Sequence, residues 1–132
     1  MLPTIAWKNN RVKMIDQMRL PAREVYVTCR NHIQVADAIK KMVIRGAPAI
    51  GIAAAMGVAL AAHNSGSKTF NKFNNDIKKA VEILRKSRPT AVNLFWALDR
   101  MKKVLLKNKK LPVDKIKKIL INEALKIEKE DI

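Results

Sequence analysis

Apolar and polar positions alternate near the start of the chain and then recur at intervals of three and four residues, so a short sheet followed by helices is predicted. Thr4-Ile5-Ala6-Trp7-Lys8 and Arg11-Val12-Lys13-Met14-Ile15 alternate around Asn9-Asn10, a pair that tolerates positive φ. They read as a β-hairpin that turns Trp7, Val12 and Met14 toward the core. A turn through Asp16-Gln17-Met18-Arg19-Leu20-Pro21 leads to a third strand, Glu24-Val25-Tyr26-Val27-Thr28-Cys29, rich in residues that suit a pleated surface.

Everything after that strand has helical spacing. Asn31 can cap a first helix whose apolar positions are Val35, Ile39, Met42 and Val43, with Gly46 at its end. A second helix is expected from about Pro48, whose fixed φ and missing N–H suit a first helical turn. The run from Ala47 to Ala62 carries no charge and is mostly alanine, with Gly51 and Gly57 spaced to let neighbouring backbones come close. A helix that is apolar all round is buried in protein or in a bilayer, and a bilayer span takes roughly 20 apolar residues. The run is shorter than that, so a buried central helix is predicted.

Beyond the polar loop His63-Asn64-Ser65-Gly66-Ser67, Phe70, Phe73, Ile77, Val81 and Leu84 stripe a third helix, which Ser87-Arg88-Pro89-Thr90 interrupts. Ala91, Leu94, Leu98, Met101 and Leu105 share one face of a fourth, with Phe95 beside them. After the linker Asn108-Lys109-Lys110-Leu111-Pro112, a fifth carries Val113, Ile116, Leu120, Ala124 and Ile127. The predicted architecture is α+β in one domain, 1–132, with a three-stranded antiparallel sheet in residues 1–30 and a bundle of about five helices in residues 31–132.

Composition sharpens this picture in three ways. An apolar fraction of 48% in 132 residues fits one globular core and argues against disorder. A lone cysteine, Cys29, excludes an internal disulfide, and the two histidines, His32 and His63, make no visible metal-ligand cluster, so neither metal nor cofactor is expected. Met1-Leu2-Pro3-Thr4 has no basic region and no apolar core, so a cytoplasmic protein with no membrane association is expected. The last helix runs to Glu130-Asp131-Ile132 without a glycine, proline or polar tail, as a chain cut in mid-course would.

The formal charge of +16 raises nucleic-acid binding as a possibility. Much of the excess is lysine spread along helical repeats, without interleaved aromatics or a binding motif, and solvated helix faces account for it at least as well. An acidic portion of a longer protein would also balance it.

The candidate chemistry lies at the start of the uncharged helix. The first N–H groups of a helix lack intrahelical partners and carry the positive end of its dipole, so a mouth flanked by Arg45 and floored by Gly46 suits a phosphate or carboxylate. No Asp or Glu occurs between Asp37 and Asp76 to repel an anion. The plain alternative is a helix corner with a solvated arginine, and on spacing alone this is the stronger reading because Gly-x-Pro corners are common. Arg88 stands before Pro89 much as Arg45 stands before Pro48. Either both guanidiniums converge on one phosphate, or Arg88 only follows a helix C-terminus, where cations are favoured.

Asp16-Gln17 with Leu20-Pro21, then Ala38-Ile39 and Met42 leading into Arg45-Gly46-Ala47-Pro48-Ala49-Ile50-Gly51, then Arg88-Pro89-Thr90-Ala91-Val92-Asn93-Leu94-Phe95-Trp96-Ala97-Leu98, resemble one known pattern. It is that of the N-terminal domain of the methylthioribose-1-phosphate isomerase family. That family belongs to the superfamily that includes the regulatory subunits of translation initiation factor 2B. The resemblance runs from about Ile5 to Ile132. It implies part of an aldose-ketose isomerase that converts 5-methylthioribose 1-phosphate to 5-methylthioribulose 1-phosphate in methionine salvage.

It also implies substrate contacts at Arg45, Gly46, Ala47 and Arg88, the residues singled out above, which turns the reading of Arg45 from corner to contact. The family's catalytic cysteine and aspartate lie in a C-terminal Rossmann-like domain that has no counterpart in these residues. The resemblance therefore implies a chain that clamps substrate, is inactive alone, has that catalytic domain as its partner, and forms a homo-oligomer when complete. Cys29 ends a strand and is expected to be an ordinary half-buried thiol. Asp99, followed by Arg100, is expected in a surface ion pair, and His63 either flanks the site or is a loop residue. Three alternatives remain: a regulatory or nucleotide-binding subunit like those of initiation factor 2B, an isomerase of another ribose phosphate such as ribose 1,5-bisphosphate, and a basic module that binds nucleic acid.

Overall fold

The computed structural model describes residues 5–16, 25–41, 43–44 and 46–130. The hairpin forms as its asparagines predict. β1 (Ile5–Lys8) and β2 (Arg11–Ile15) are joined by Asn9 and Asn10 at φ 53° and 58°, the positive values that a two-residue turn between twisted strands needs. Trp7 pairs with Val12 and Ile5 with Met14. β3 (Tyr26–Cys29) lies antiparallel on the other side of β2, with Val12 opposite Cys29 and Met14 opposite Val27, so the order is β1-β2-β3. Ile5, Val12, Met14 and Cys29 are buried and cover one flank of the helices.

α1 (His32–Lys40) is capped by the Asn31 side chain, which accepts the Gln34 N–H at 2.8 Å. It ends well before Gly46, where the spacing had placed its end. The Lys41 N–H reaches the Asp37 carbonyl and the Val43 N–H wraps back to the Ala38 carbonyl at 3.0 Å, a closure that stops the helix and satisfies its last acceptors. Val43 and Ile44 are left buried between α1 and the next helix.

That helix, α2 (Ala47–Asn64), is the axis of the domain, and every residue from Ile50 to Ala62 is buried. It packs against all four other helices and the hairpin. Small side chains make this possible, because only alanine and glycine let several helices close on one cylinder. α3 (Phe70–Ser87) is capped by Thr69 and buries Phe73, Ile77, Val81 and Leu84. α4 (Val92–Lys107) buries Leu94, Leu98, Met101 and Leu105, and α5 (Val113–Glu130) buries Val113, Ile116, Leu120, Ala124 and Ile127. α2 is the one described helix long and apolar enough to cross a membrane by length and composition, and 72% of it is enclosed by protein.

The observed fold is thus the predicted α+β arrangement, with three strands and five helices among the described residues. The turn residues 17–21, the strand position Glu24, Met42, Arg45 and the terminal residues 1–4 and 131–132 lie outside the described residues.

Candidate functional site

Two expected site residues sit at the first turn of α2. Gly46 precedes the helix with φ 94° and ψ 132°, a backbone state that L side chains rarely adopt, and its carbonyl accepts the Ile50 N–H at 3.0 Å. Ala47 opens the helix, one residue ahead of the predicted start, with Pro48 behind it. Among the described residues no side chain caps these first N–H groups, whereas α1 and α3 have the side-chain caps Asn31 and Thr69.

Arg88 arrives from the opposite direction. It follows Ser87 at the end of α3, and its carbonyl accepts the Ala91 N–H at 3.0 Å, which makes Arg88-Pro89-Thr90-Ala91 a tight turn with proline in the corner. Pro89 therefore does not begin a helix as Pro48 does. α4 starts at Val92, and its N-terminus is also without a side-chain cap.

These pieces meet. Gly46, Ala47, Arg88, Thr90, Ala91 and Asn93 line one open groove of about 310 Å³. It gathers two helix N-termini without side-chain caps and one half-buried arginine, with no carboxylate in its lining among the described residues. Unpaired N–H groups, two positive dipole ends and a forked cation favour a phosphate or carboxylate. The groove brings together three of the four residues expected from the sequence; the fourth, Arg45, lies outside the described residues.

A second groove of about 360 Å³ adjoins the first across Asn93, lined further by Pro48, Gly51, Ile52, Trp96, Ile127 and Glu130. Gly51 makes this approach possible, since a Cβ there would lie 3.2 Å from the Asn93 carbonyl oxygen. Trp96 is 53% exposed beside Arg100, whose guanidinium lies 5.4 Å from the indole centroid. Arg100 donates to Glu130 through two nitrogens at 2.9 and 2.6 Å and to Glu123 at 2.7 Å, so it ties the end of α5 to α4. Those bonds hold the Glu130 carboxyl below the usual carboxylate range. Thr90, Asn93, Trp96 and Glu130 were not singled out as site residues from the sequence. Asn93 and Trp96 stood within the Arg-Pro-Thr block, but nothing local distinguished them from helix surface.

Other residues weighed from the sequence lie elsewhere. His63 is in the last turn of α2, about 24 Å along the helix from Ala47 at 1.5 Å per residue, and lines neither groove. Asp99 does pair on the surface, with Arg85 at 3.7 Å rather than with the adjacent Arg100. Cys29 is fully buried in β3, deeper than the half-buried thiol expected, and burial, reinforced by the Asp37 charge, pushes its thiol up to about 11. At pH 8 it is protonated and shielded. Ellman's reagent is expected to leave Cys29 unmodified in the native protein and to titrate one thiol in denaturant; rapid native modification would show an accessible thiolate.

The fold is an α+β domain with an open groove where the first turns of α2 and α4 meet. A family model described as the initiation factor 2 subunit family matches residues 43–132. The chain belongs to that family. It is 50% identical over 129 residues to the methylthioribose-1-phosphate isomerase of Geobacter sulfurreducens, and 52% identical to that of Citrifermentans bemidjiense. Both alignments take in 98% of this chain and 37% of the relative, so the chain spans little more than a third of the length of these curated relatives. Among solved structures, 5-methylthioribose 1-phosphate isomerase from Pyrococcus horikoshii superposes with a TM-score of 0.95 at 46% identity, over 98% of this chain and 36% of that one. The delta subunit of translation initiation factor eIF-2B from A. fulgidus superposes at 0.91 with 39% identity, over 98% and 37%.

Proposed function

We propose that this chain is the N-terminal substrate-binding domain of an aldose-ketose isomerase acting on 5-methylthioribose 1-phosphate, in the setting of methionine salvage. The observation that carries this is the groove in which Gly46, Ala47 and Arg88, 42 residues apart in the chain, line one anion-suited wall. The names of the relatives supply the sugar phosphate that such a wall would hold. In this reading Arg88 and the N–H groups at the mouths of α2 and α4 hold the phosphate, and Arg45 joins them.

The isomerisation moves a proton between two sugar carbons, which takes a general acid and a general base within hydrogen-bond reach. The phosphate groove is lined by no histidine, cysteine, aspartate or glutamate among the described residues. Glu130, in the neighbouring groove, is committed to Arg100. The acid and base therefore belong to the further length that the relatives have. This domain binds and orients; the complete enzyme is soluble, cytoplasmic and homo-oligomeric.

A chimera joining this chain to the remaining two-thirds of the Geobacter sulfurreducens relative tests the proposal. It is expected to isomerise 5-methylthioribose 1-phosphate, while this chain alone binds the substrate without turnover. Turnover by the chain alone would overturn the division of labour. An inactive but folded chimera, with no binding by either protein, would favour the regulatory-subunit reading that the eIF-2B neighbour represents. Preference for ribose 1,5-bisphosphate in competition would reassign the sugar.

A further inference from the structure

The charge of this domain is concentrated at one end. Of the seventeen positions from Lys102 to Lys118, eight are lysine and one, Asp114, is acidic. The fold brings this stretch beside α3: Lys78, midway along α3, and Lys102 flank the same shallow crevice, and Lys117 Nζ donates to the Ser65 carbonyl in the loop that follows α2. The end of α4, the start of α5 and the start of α3 form one pole, where Lys72, Lys107, Lys110 and Lys118 are exposed, with Lys78 exposed farther along α3. None of these five is in an ion pair among the described residues. Asp76, the other acid at this pole, accepts hydrogen bonds from the Ser65 and Ser67 hydroxyls.

This pole lies at the far end of the bundle from the phosphate groove, about 27 Å away along the 18 residues of α2. Its lysines therefore cannot serve as ligands in that groove. Helix stability explains only part of them: Lys107 lies in the last turn of α4, where cations are favoured, whereas Lys115 lies in the first turn of α5, where they are disfavoured. The like-charged field is gathered at this end by the packing of three helices.

We propose that this pole is a second binding surface, for the phosphodiester backbone of single-stranded nucleic acid. The field spreads over three helix ends, wider than one phosphate and suited to an extended chain of them. Lysines supply point charges rather than the planar fork that reads base edges, so contact is with the phosphates alone and independent of sequence, and without a row of aromatics for bases to stack on it rests on charge and is strongly salt-dependent. A protein partner fits less well, because lysine is depleted from protein interfaces. A membrane also fits less well: the exposed Leu106 and Leu111 are isolated side chains, not an apolar stripe that would insert.

The test is the anisotropy of a labelled oligouridylate of roughly 16 nucleotides titrated with the 132-residue chain over a range of salt. Affinity is expected to fall linearly on logarithmic axes as salt rises, with a slope of about 0.7 per phosphate neutralised. The triple variant Lys107→Gln, Lys110→Gln, Lys118→Gln is expected to bind at least about tenfold more weakly and to lose about 2 from that slope. Arg88→Ala, at the other pole, is expected to change neither, which separates this surface from the phosphate groove. Absence of binding at about 50 mM salt, or a slope the triple variant leaves intact, would overturn the proposal. Equal displacement of the oligonucleotide by polyglutamate or by anionic vesicles, charge for charge, would also overturn it.

Discussion

Arg88→Ala is expected to weaken binding of 5-methylthioribose 1-phosphate to this domain by about 10- to 150-fold while leaving its unfolding midpoint nearly unchanged. A hydrogen bond to a charged group contributes about 1.5–3 kcal/mol, and Arg88 supplies the charged donor in the described lining of the groove. The fold does not depend on its side chain, because the turn it begins is closed by its carbonyl and the Ala91 N–H, which alanine retains. Arg88→Lys is expected to recover only part of the loss, since an ammonium keeps the charge but not the fork. Titration calorimetry with the sugar phosphate and with inorganic phosphate separates the possibilities. Equal loss for both ligands places Arg88 on the phosphate, whereas a loss confined to the sugar phosphate moves it to the sugar. Undiminished affinity for both would remove Arg88 from the site.

Gly57→Leu is expected to destabilise the domain by about 3 kcal/mol or more, at the upper end of what overpacking a core costs. Gly57 lies midway along α2, where α1 and α3 close on it. A Cβ there would lie 2.9 and 3.0 Å from the two terminal carbons of Leu84 and 3.3 Å from Val35. Leu84 and Val35 are themselves fully buried and have little room to retreat. Gly57→Ala is the informative companion. The single methyl needs the two terminal carbons of Leu84, and to a lesser degree Val35, to give by a few tenths of an ångström, and the gain in helix propensity of about 1 kcal/mol offsets part of that cost. The alanine variant should therefore lose much less stability than the leucine variant. Denaturant midpoints measure both, and a leucine variant within about 1 kcal/mol of the parent would show that the helices are not packed on Gly57 as described.

The two variants divide the domain by function. Arg88 acts at an open mouth where little is packed, so its loss is felt by the ligand. Gly57 acts where three helices meet, so its replacement is felt by the whole fold. Gly51 belongs to both, because it lets α4 approach α2 closely enough for Asn93 to stand between the two grooves.

Much of this was legible residue by residue. Asn9-Asn10 announced the hairpin because few residues tolerate two successive positive φ values. The stripes of α3, α4 and α5 announced buried faces because side chains three and four apart share one side of a helix. The uncharged run of α2 announced a helix enclosed on all sides. In each of these the signal is contained within a few neighbouring residues, where backbone sterics and side-chain periodicity act. The groove was less legible: Gly46 and Arg88 left an anion mouth and a plain helix corner both open, and the family resemblance chose the first and added Ala47.

The remainder came from contacts between distant segments. Two Arg-Pro patterns looked alike, yet Pro48 lies in the first turn of α2 while Pro89 sits in a turn three residues before α4. α1 stopped early because Val43 could wrap back on Ala38. His63, a possible flank of the site by sequence, ended at the opposite end of α2 from it. Local preferences choose helix, strand or turn, but which ends meet is decided by the side chains that interlock between elements. Arg88 and Ala47 line one groove because α4 packs on α2 at Gly51. The same packing sets that groove at one end of the bundle and the lysines at the other.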